Sequence, residues 1–300
     1  MISIHVGSQI STHVGSQDGQ CISEGTLQKV VIAGTDLSVS RFIFGTGSLF
    51  SAGSSRIRRD LLSAAYDHGF THFDTAPSYG FGWAERDLRG LLTAHPEITL
   101  TSKVGVYSPG GEWQPELVIL FRKASGRVLS AFSRATANWS VARARCSLDE
   151  SLRRLGRGHI DFYAIHEPDL ALIQTEEWLR WMEDEVAAGR IRYYGLAGDS
   201  GRLAPLLRNA NLLAKVVQAS DSLDRREADA LSWGGRPPQI TYGYVSAAMR
   251  AGFTDVRDVL SRSLERNRHG AIIVSTRKAW RLSQYQSILD ASYPRQMVTA

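Results

Sequence analysis

The chain has 300 residues, 35 Lys and Arg against 30 Asp and Glu for a formal charge of +5, with 43% hydrophobic and 22% charged residues. That balance excludes a disordered or fibrous chain. No apolar run reaches the ~20 residues a membrane helix needs, and no basic run is interleaved with aromatics, so neither a membrane nor a nucleic-acid partner is expected. The two cysteines, Cys21 and Cys146, offer no disulfide framework and no ligand spacing, so no metal is expected. Cys146 falls in a helical pattern and reads as a small buried hydrophobe. The opening stretch to Gly25 lacks the basic-then-apolar layout of a secretory signal, which predicts a cytoplasmic location.

In chain order, the first feature is a repeat: His5-Val6-Gly7-Ser8-Gln9 returns as His13-Val14-Gly15-Ser16-Gln17. Two copies without a hydrophobic face do not make a solenoid, and residues 1–26 read as a disordered leader before a single domain from residue 27 to 300. Leu27 to Ile32 and Leu37 to Val39 flank Gly34-Thr35-Asp36 and predict a β-hairpin. Eight strands follow, over Phe42–Gly45, Thr71–Thr75, Ile98–Lys103, Ile160–His166, Ile191–Leu196, Ala214–Ala219, Gln239–Val245 and Ala271–Ser275. Between them lie amphipathic segments carrying Leu61, Leu62 and Ala65, then Leu88, Leu91 and Leu92, then Leu148, Leu152 and Leu155, then Val256, Val259, Leu260 and Leu264. Strand-then-helix units require parallel strands with crossover helices, and eight of them close into a filled (β/α)8 TIM barrel. An open doubly wound sheet is the alternative, but no Gly-x-Gly-x-x-Gly stands between a strand and a helix. One long loop, after the third strand from Val106 to Asn138, carries Trp113, Phe121 and Phe132 with Trp139 beyond it; it reads as an ordered lid over a pocket or as an excursion packed on the barrel.

In such a barrel the chemistry sits where strands end. Asp74 ends the second strand, Tyr79 follows in its loop, Lys103 ends the third and His166 the fourth. Alone, each is explained by a turn or a structural hydrogen bond. Together they form a coherent set: a phenol to carry a proton, an ammonium to lower its pKa, a carboxylate to keep the ammonium charged, and an imidazole to hold a substrate oxygen. None of them can move a hydride, so a cofactor must bring one.

The wording around these residues resembles the aldo-keto reductase family. Phe73-Asp74-Thr75-Ala76-Pro77-Ser78-Tyr79-Gly80 with Glu85 and Leu88 is similar to its aspartate–tyrosine signature, Thr101-Ser102-Lys103 to its lysine strand, and Ser147-Leu148 through Asp161-Phe162-Tyr163-Ala164-Ile165-His166 to its histidine segment. The resemblance runs from about Leu27 to about Asp290, and its wording is similar to the sugar-oxidising branch that includes D-threo-aldose and fucose dehydrogenases. It implies a catalytic tetrad of Asp74, Tyr79, Lys103 and His166, with Tyr79 as general acid or base. It also implies an NAD(P)-dependent oxidoreductase that interconverts an alcohol with a small-molecule carbonyl or sugar.

The resemblance extends unevenly to the cofactor site. Gly45, Thr46 and Gly47 correspond to its floor and Gln218 to a carboxamide contact. The family's Ser-Asn pair after the fifth strand is replaced by Ala197-Gly198, with Asp199 expected to take over one contact. Tyr244 or Tyr242 is expected to stack on the nicotinamide. After the eighth strand, Ser275, Thr276 and Arg277, with Lys278 and with Arg281 one turn on, form a phosphate site at a helix start, whose guanidinium groups suit a 2′-phosphate. NADP is therefore expected ahead of NAD. A second reading stays open, that of a catalytically weak nucleotide-binding barrel serving as a sensor or regulatory subunit, as in the channel β-subunits of this family. Nothing in the sequence speaks to oligomeric state.

Overall fold

The computed structural model describes residues 27–125, 135–169, 171–208, 212–231 and 239–292. The repeated leader, Cys21 and Phe132 lie outside them. An antiparallel hairpin comes first, β1 (Lys29–Val31) against β2 (Ser38–Ser40), with Val30 opposite Val39. Thr35 closes its turn by donating both its amide and its hydroxyl to the Ile32 carbonyl, at 3.0 and 2.7 Å.

The expected alternation then follows: β3 (Phe42–Gly45), α1 (Ser55–Asp67), β4 (His72–Asp74), α2 (Trp83–Ala94) and β5 (Thr99–Val104). After an excursion made of β6 (Val106–Tyr107), α3 (Glu116–Ser125) and β7 (Thr136–Ala137) come α4 (Val141–Leu155), β8 (Ile160–His166), α5 (Thr175–Ala187), β9 (Ile191–Gly198), α6 (Ser200–Arg208) and β10 (Val216–Ser220). The chain ends on β11 (Ile240–Tyr242), α7 (Tyr244–Arg250), α8 (Val256–Arg266), β12 (Ala271–Val274) and α9 (Leu282–Ser292). β3, β4, β5, β8, β9, β10, β11 and β12 pair in that order, all parallel, and β12 returns to β3, which closes the (β/α)8 barrel.

Two cores result. Between strands and helices lies a large apolar layer that includes Leu61, Leu62, Leu88, Leu92, Leu148, Leu155, Trp178, Trp181, Leu260 and Leu264. Each helix contributes from one face, as the 3.6-residue period requires. Inside the barrel a smaller core of Ile43, Phe162, Ala164, Ala197, Val216, Ile240 and Ala271 is continuous with Ile32, Leu37 and Val39 of the hairpin. The hairpin thus plugs the N-terminal end of the barrel. Gln239 Nε2 fastens it by donating to the Ala33 carbonyl at 2.5 Å, and Asp36 accepts from Arg192 and Tyr193 at 2.7 and 2.8 Å.

Helix starts are capped where the sequence offers an acceptor. Ser140 accepts from the Arg143 amide, and Asp255 from the amides of Arg257 and Asp258 at 2.9 and 3.1 Å. Three expectations change. The seventh barrel strand stops at Tyr242, because Gly243 at φ 103 turns the chain into α7; a left-handed residue there ends the extended run. Cys146 is exposed, since it sits on the outward side of α4 beside exposed Arg145 while Ser147 and Leu148 face in. The described part of the excursion is no lid. It packs on the barrel flank, with Arg58 on Glu116 at 2.8 Å, Arg143 on Glu112 at 3.3 Å, and Arg86 5.6 Å from the Trp113 ring.

Candidate active site

The C-terminal ends of the barrel strands surround a cavity of ≈ 990 Å³. Register brings the chemistry there: Gly45 lies beside Asp74, Asp74 beside Thr101, and His166 beside Ala197, which lies beside Gln218. Lys103, two residues on from Thr101 and on the same face of β5, reaches across to β4.

Its ammonium is the hub of the site. Lys103 Nζ lies 2.7 and 2.8 Å from the two Asp74 oxygens, 2.9 Å from the Thr75 carbonyl and 3.2 Å from the Tyr79 hydroxyl. Burial works to strip its proton, but Asp74 and Tyr79 more than offset this and hold its pKa above the ordinary amine range. Burial pushes the Asp74 carboxyl up, opposed by the ammonium that touches both its oxygens and by a side-chain hydrogen bond from Gln218. The opposite face of β5 is braced by Glu85, which accepts from Ser102 and from Arg154, both at 2.7 Å. Glu85 is thus a buried tie between α2, β5 and α4.

Tyr79 departs from expectation in its electrostatics. Lys103 lowers its pKa, but burial outweighs that and the phenol sits above its ordinary value. At neutral pH it holds its proton, which suits an acid. The His166 ring stands edge-on to the Tyr79 ring with centroids 6.1 Å apart. Burial, then the Lys103 charge, lowers the His166 pKa to about 3, so this imidazole is neutral. Among the described residues its Nδ1 is buried without a hydrogen-bond partner, and so is Oε1 of Gln218. Buried polar atoms are rarely left so, and these two border the same cavity.

The expected cofactor residues divide. Gly45 lets two strands approach closely: a Cβ there would meet Ile273 Cγ2 and Ser275 Oγ, both at 2.7 Å. Gly47 faces the Tyr79 ring, 3.7 Å from where its Cβ would be. Both line the cavity, as do Gln218, Ser275, Thr276, Arg277, Lys278 and Arg281. Among the described residues no carboxylate pairs with Arg277, Lys278 or Arg281, and Thr276 tightens their turn by accepting from the Lys278 amide at 3.1 Å.

Three placements differ. Thr46 is buried, with its hydroxyl and amide both donated to the Asp74 carbonyl, so it clamps β3 to β4 beneath the cavity. Asp199 is exposed and turned into the start of α6, where its carboxylate accepts from the Gly201 amide at 2.9 Å and the Ser220 hydroxyl at 3.2 Å. Helix-start amides compete for a carboxylate at this position and win. Tyr244 borders the cavity but is buried, its hydroxyl donated to Asp221 at 2.6 Å; Tyr242 is the half-exposed ring near Tyr79 and Asp74.

The cavity wall also contains Glu167, Arg257 and Gln284, which sequence reasoning missed. Glu167 had a weak signal, its place directly after a strand-end histidine. Arg257 had none, because nothing in the sequence says that the start of α8 and the loop after β12 line one cavity.

The aldo/keto reductase family model matches residues 41–227. The chain is 29% identical over 176 residues to aldo-keto reductase YhdN of Bacillus subtilis, covering 56% of this chain and 46% of that one. It is 26% identical over 250 residues to a 6-dehydroglucose reductase of Agrobacterium fabrum, covering 75% and 78%. A D-threo-aldose 1-dehydrogenase of a Pseudomonas species is 31% identical over 176 residues, covering 55% and 51%. In two of these three the chain spans about half the relative's length. Among solved structures, the aldo-keto reductase AKR11C1 of Bacillus halodurans superposes with a TM-score of 0.68 at 18% identity, covering 88% of this chain and 91% of that one. With the family model spanning more than half of its residues, the chain belongs to the aldo/keto reductase family.

Proposed function

We propose that this barrel is an NADP-dependent oxidoreductase that interconverts a small-molecule aldehyde, ketone or sugar carbonyl with its alcohol, Tyr79 carrying the proton. The observation that carries the reading is the contact of the Tyr79 hydroxyl with a buried, charge-paired Lys103, at the floor of a cavity that also holds a neutral His166. A phenol that keeps its proton, beside an ammonium that stabilises the phenolate once the proton has left, is a general acid matched to carbonyl reduction. Neutral His166 can donate one ring N–H to the carbonyl oxygen and hold it within reach of Tyr79. The cofactor, when bound, supplies the hydride.

The residues present fit that cofactor. Gln218 Oε1 is a buried acceptor without a partner among the described residues, suited to an amide N–H. Tyr242 offers a ring face, and Gly45 and Gly47 leave room for close approach. At the other end of the cavity Arg257, Arg277, Lys278 and Arg281 concentrate positive charge without a carboxylate partner among the described residues, which suits a phosphate and favours NADP over NAD. The names of the relatives, a 6-dehydroglucose reductase and a D-threo-aldose 1-dehydrogenase, point to sugars as the substrate class.

One observation favours the second reading, that of a nucleotide-binding barrel with weak turnover. Ala197 and Gly198 carry no polar side chain at the end of β9, and Asp199 faces away into α6. One assay separates the two. A panel of sugars and aldehydes is followed at the nicotinamide absorbance with NADPH and NADP+, on wild type and Tyr79→Phe. The proposal expects turnover in wild type and a fall of roughly 10²–10⁴ in Tyr79→Phe, with cofactor affinity retained. Tight cofactor binding without turnover in either protein would support the sensor.

A further inference from the structure

Glu167 sits directly after His166, at the end of β8, and takes no part in the proton chemistry above. Its backbone has φ 52, a left-handed conformation that non-glycine residues adopt at a cost. Its amide donates to the Ala197 carbonyl at 2.7 Å, which continues the β8–β9 pairing one residue beyond the strand and holds the bend in place. The bend folds the side chain back over Gly198. A Cβ on Gly198 would stand 3.0 Å from Glu167 Oε2 and 3.2 Å from its Cα, so a side chain at 198 would press on the carboxylate. The glycine and the strained glutamate form one arrangement, which presents a carboxylate to the cavity.

That carboxylate has spare capacity. Oε2 accepts from the Asp199 amide at 3.2 Å, and among the described residues Glu167 forms no ion pair. Two carboxylate oxygens offer about four lone pairs, and one bond leaves most of them for a ligand. Partial burial pushes its carboxyl up, opposed by the Asp199 amide and the charge of Arg202, with the Asp199 charge adding to the rise. It lines the same cavity as Tyr79, His166 and Tyr242. A carboxylate in the same wall as the proton donor is placed for groups on the carbons next to a reacting carbonyl. Two oxygens side by side match the O–H groups of a vicinal diol, and a neutral polyol needs no counter-charge in the wall.

We propose that Glu167 is a specificity-determining residue that accepts hydrogen bonds from substrate hydroxyls beside the carbonyl, so that the site selects polyhydroxylated over plain aldehydes. This rests on the carbonyl-reducing reading of the same cavity. It is a contact with substrate, separate from the support Glu167 gives to the Asp199 amide.

The test compares D-glyceraldehyde with propionaldehyde, which lacks both hydroxyls, in wild type, Glu167→Gln and Glu167→Ala, with thermal melts confirming that each variant is folded. Wild type should prefer glyceraldehyde in kcat/KM. Glu167→Ala should lower that preference by about 10- to 100-fold, the scale of a lost charged hydrogen bond, while leaving propionaldehyde within a few-fold. Glu167→Gln, which keeps one acceptor oxygen, should fall between. An unchanged preference in Glu167→Ala, or an equal loss on both aldehydes, would overturn the assignment and reduce Glu167 to a structural brace. Should wild type turn over neither aldehyde, the proposed activity falls, and saturation-transfer NMR with D-sorbitol decides on Glu167 alone. Transfer present in wild type and lost in Glu167→Ala supports it; transfer equal or absent in both refutes it.

Discussion

Replacing Lys103 by Met isolates the energetics of the charged floor. In the native protein the ammonium touches both Asp74 oxygens, the Thr75 carbonyl and the Tyr79 hydroxyl, and the carboxylate is 3% exposed. Methionine fills similar space but leaves Asp74 buried with no cation. Breaking a buried pair from one side costs about 3–5 kcal/mol, and with about 2–4 °C per kcal/mol for a domain approaching this size the melting temperature should fall by roughly 6–20 °C at neutral pH. The loss should depend on pH in a defined sense. Without Lys103, burial acts on Asp74 against the Gln218 hydrogen bond alone, and its folded-state pKa, already above the unfolded value, rises further. The neutral acid is the favoured folded form, so the deficit is smallest below the ordinary carboxylate range and grows as pH rises toward the new pKa. The gap between variant and wild type should therefore narrow on going from pH 8 to pH 5. Asp74→Asn added to Lys103→Met removes the stranded charge and should recover part of the loss. Calorimetric melts of wild type, both single variants and the double variant, each at several pH values, complete the cycle. A gap independent of pH, or single losses that add to within about 0.5 kcal/mol, would mean that the pair is not coupled as described.

Acidification should destabilise the protein through its histidines. His72, buried between the hydroxyls of Thr99 and Thr101, has a pKa lowered to about 4, and His166 one lowered to about 3. Both lie below the unfolded value, so the unfolded chain binds more protons and stability falls as pH drops through about 6.5. His72 alone should cost roughly 2 kcal/mol by pH 5, and His72→Gln should flatten urea midpoints measured between pH 7 and 5. The His166 ring should keep the ¹⁵N shifts of a neutral imidazole down to pH 5; a titration near pH 6.5 would contradict its burial beside Lys103. Arg277→Ala with Arg281→Ala should weaken NADP by one to three powers of ten more than NAD in tryptophan-fluorescence titrations. Equal losses for both cofactors would assign the cluster to the pyrophosphate instead.

The barrel was legible because parallel strands cannot form without crossover segments, and the eight apolar runs from Phe42–Gly45 to Ala271–Ser275 alternate with helical spacing. That Asp74, Tyr79, Lys103 and His166 meet in one cavity was legible because together they break that apolar pattern at the ends of neighbouring strands. Contacts set by competition were harder to read. Whether the carboxylate of Asp199 faces a cavity or caps α6 depends on amides that only the fold places. Tyr242 and Tyr244 are two residues apart, but the turn at Gly243 sends one to the cavity mouth and ties the other to Asp221. The net effect on Tyr79 follows from burial against one charge, and residue types do not reveal burial. Glu167 was hidden for a related reason. Its role depends on a bent backbone and on the missing side chain of Gly198, thirty-one positions away in the sequence.

The hairpin that plugs the barrel has a consequence for traffic. With Ile32, Leu37 and Val39 packed into the N-terminal end, the one door that the described residues leave is at the C-terminal face, with Tyr79 at the floor and Arg257 and Arg281 in the wall above it. Two molecules that share one door cannot exchange independently. The one seated against the floor must enter first and leave last, and the second closes the exit behind it. Steady-state kinetics should then obey a compulsory order, in which the first entrant and the last product compete for the same free enzyme while the inner pair do not.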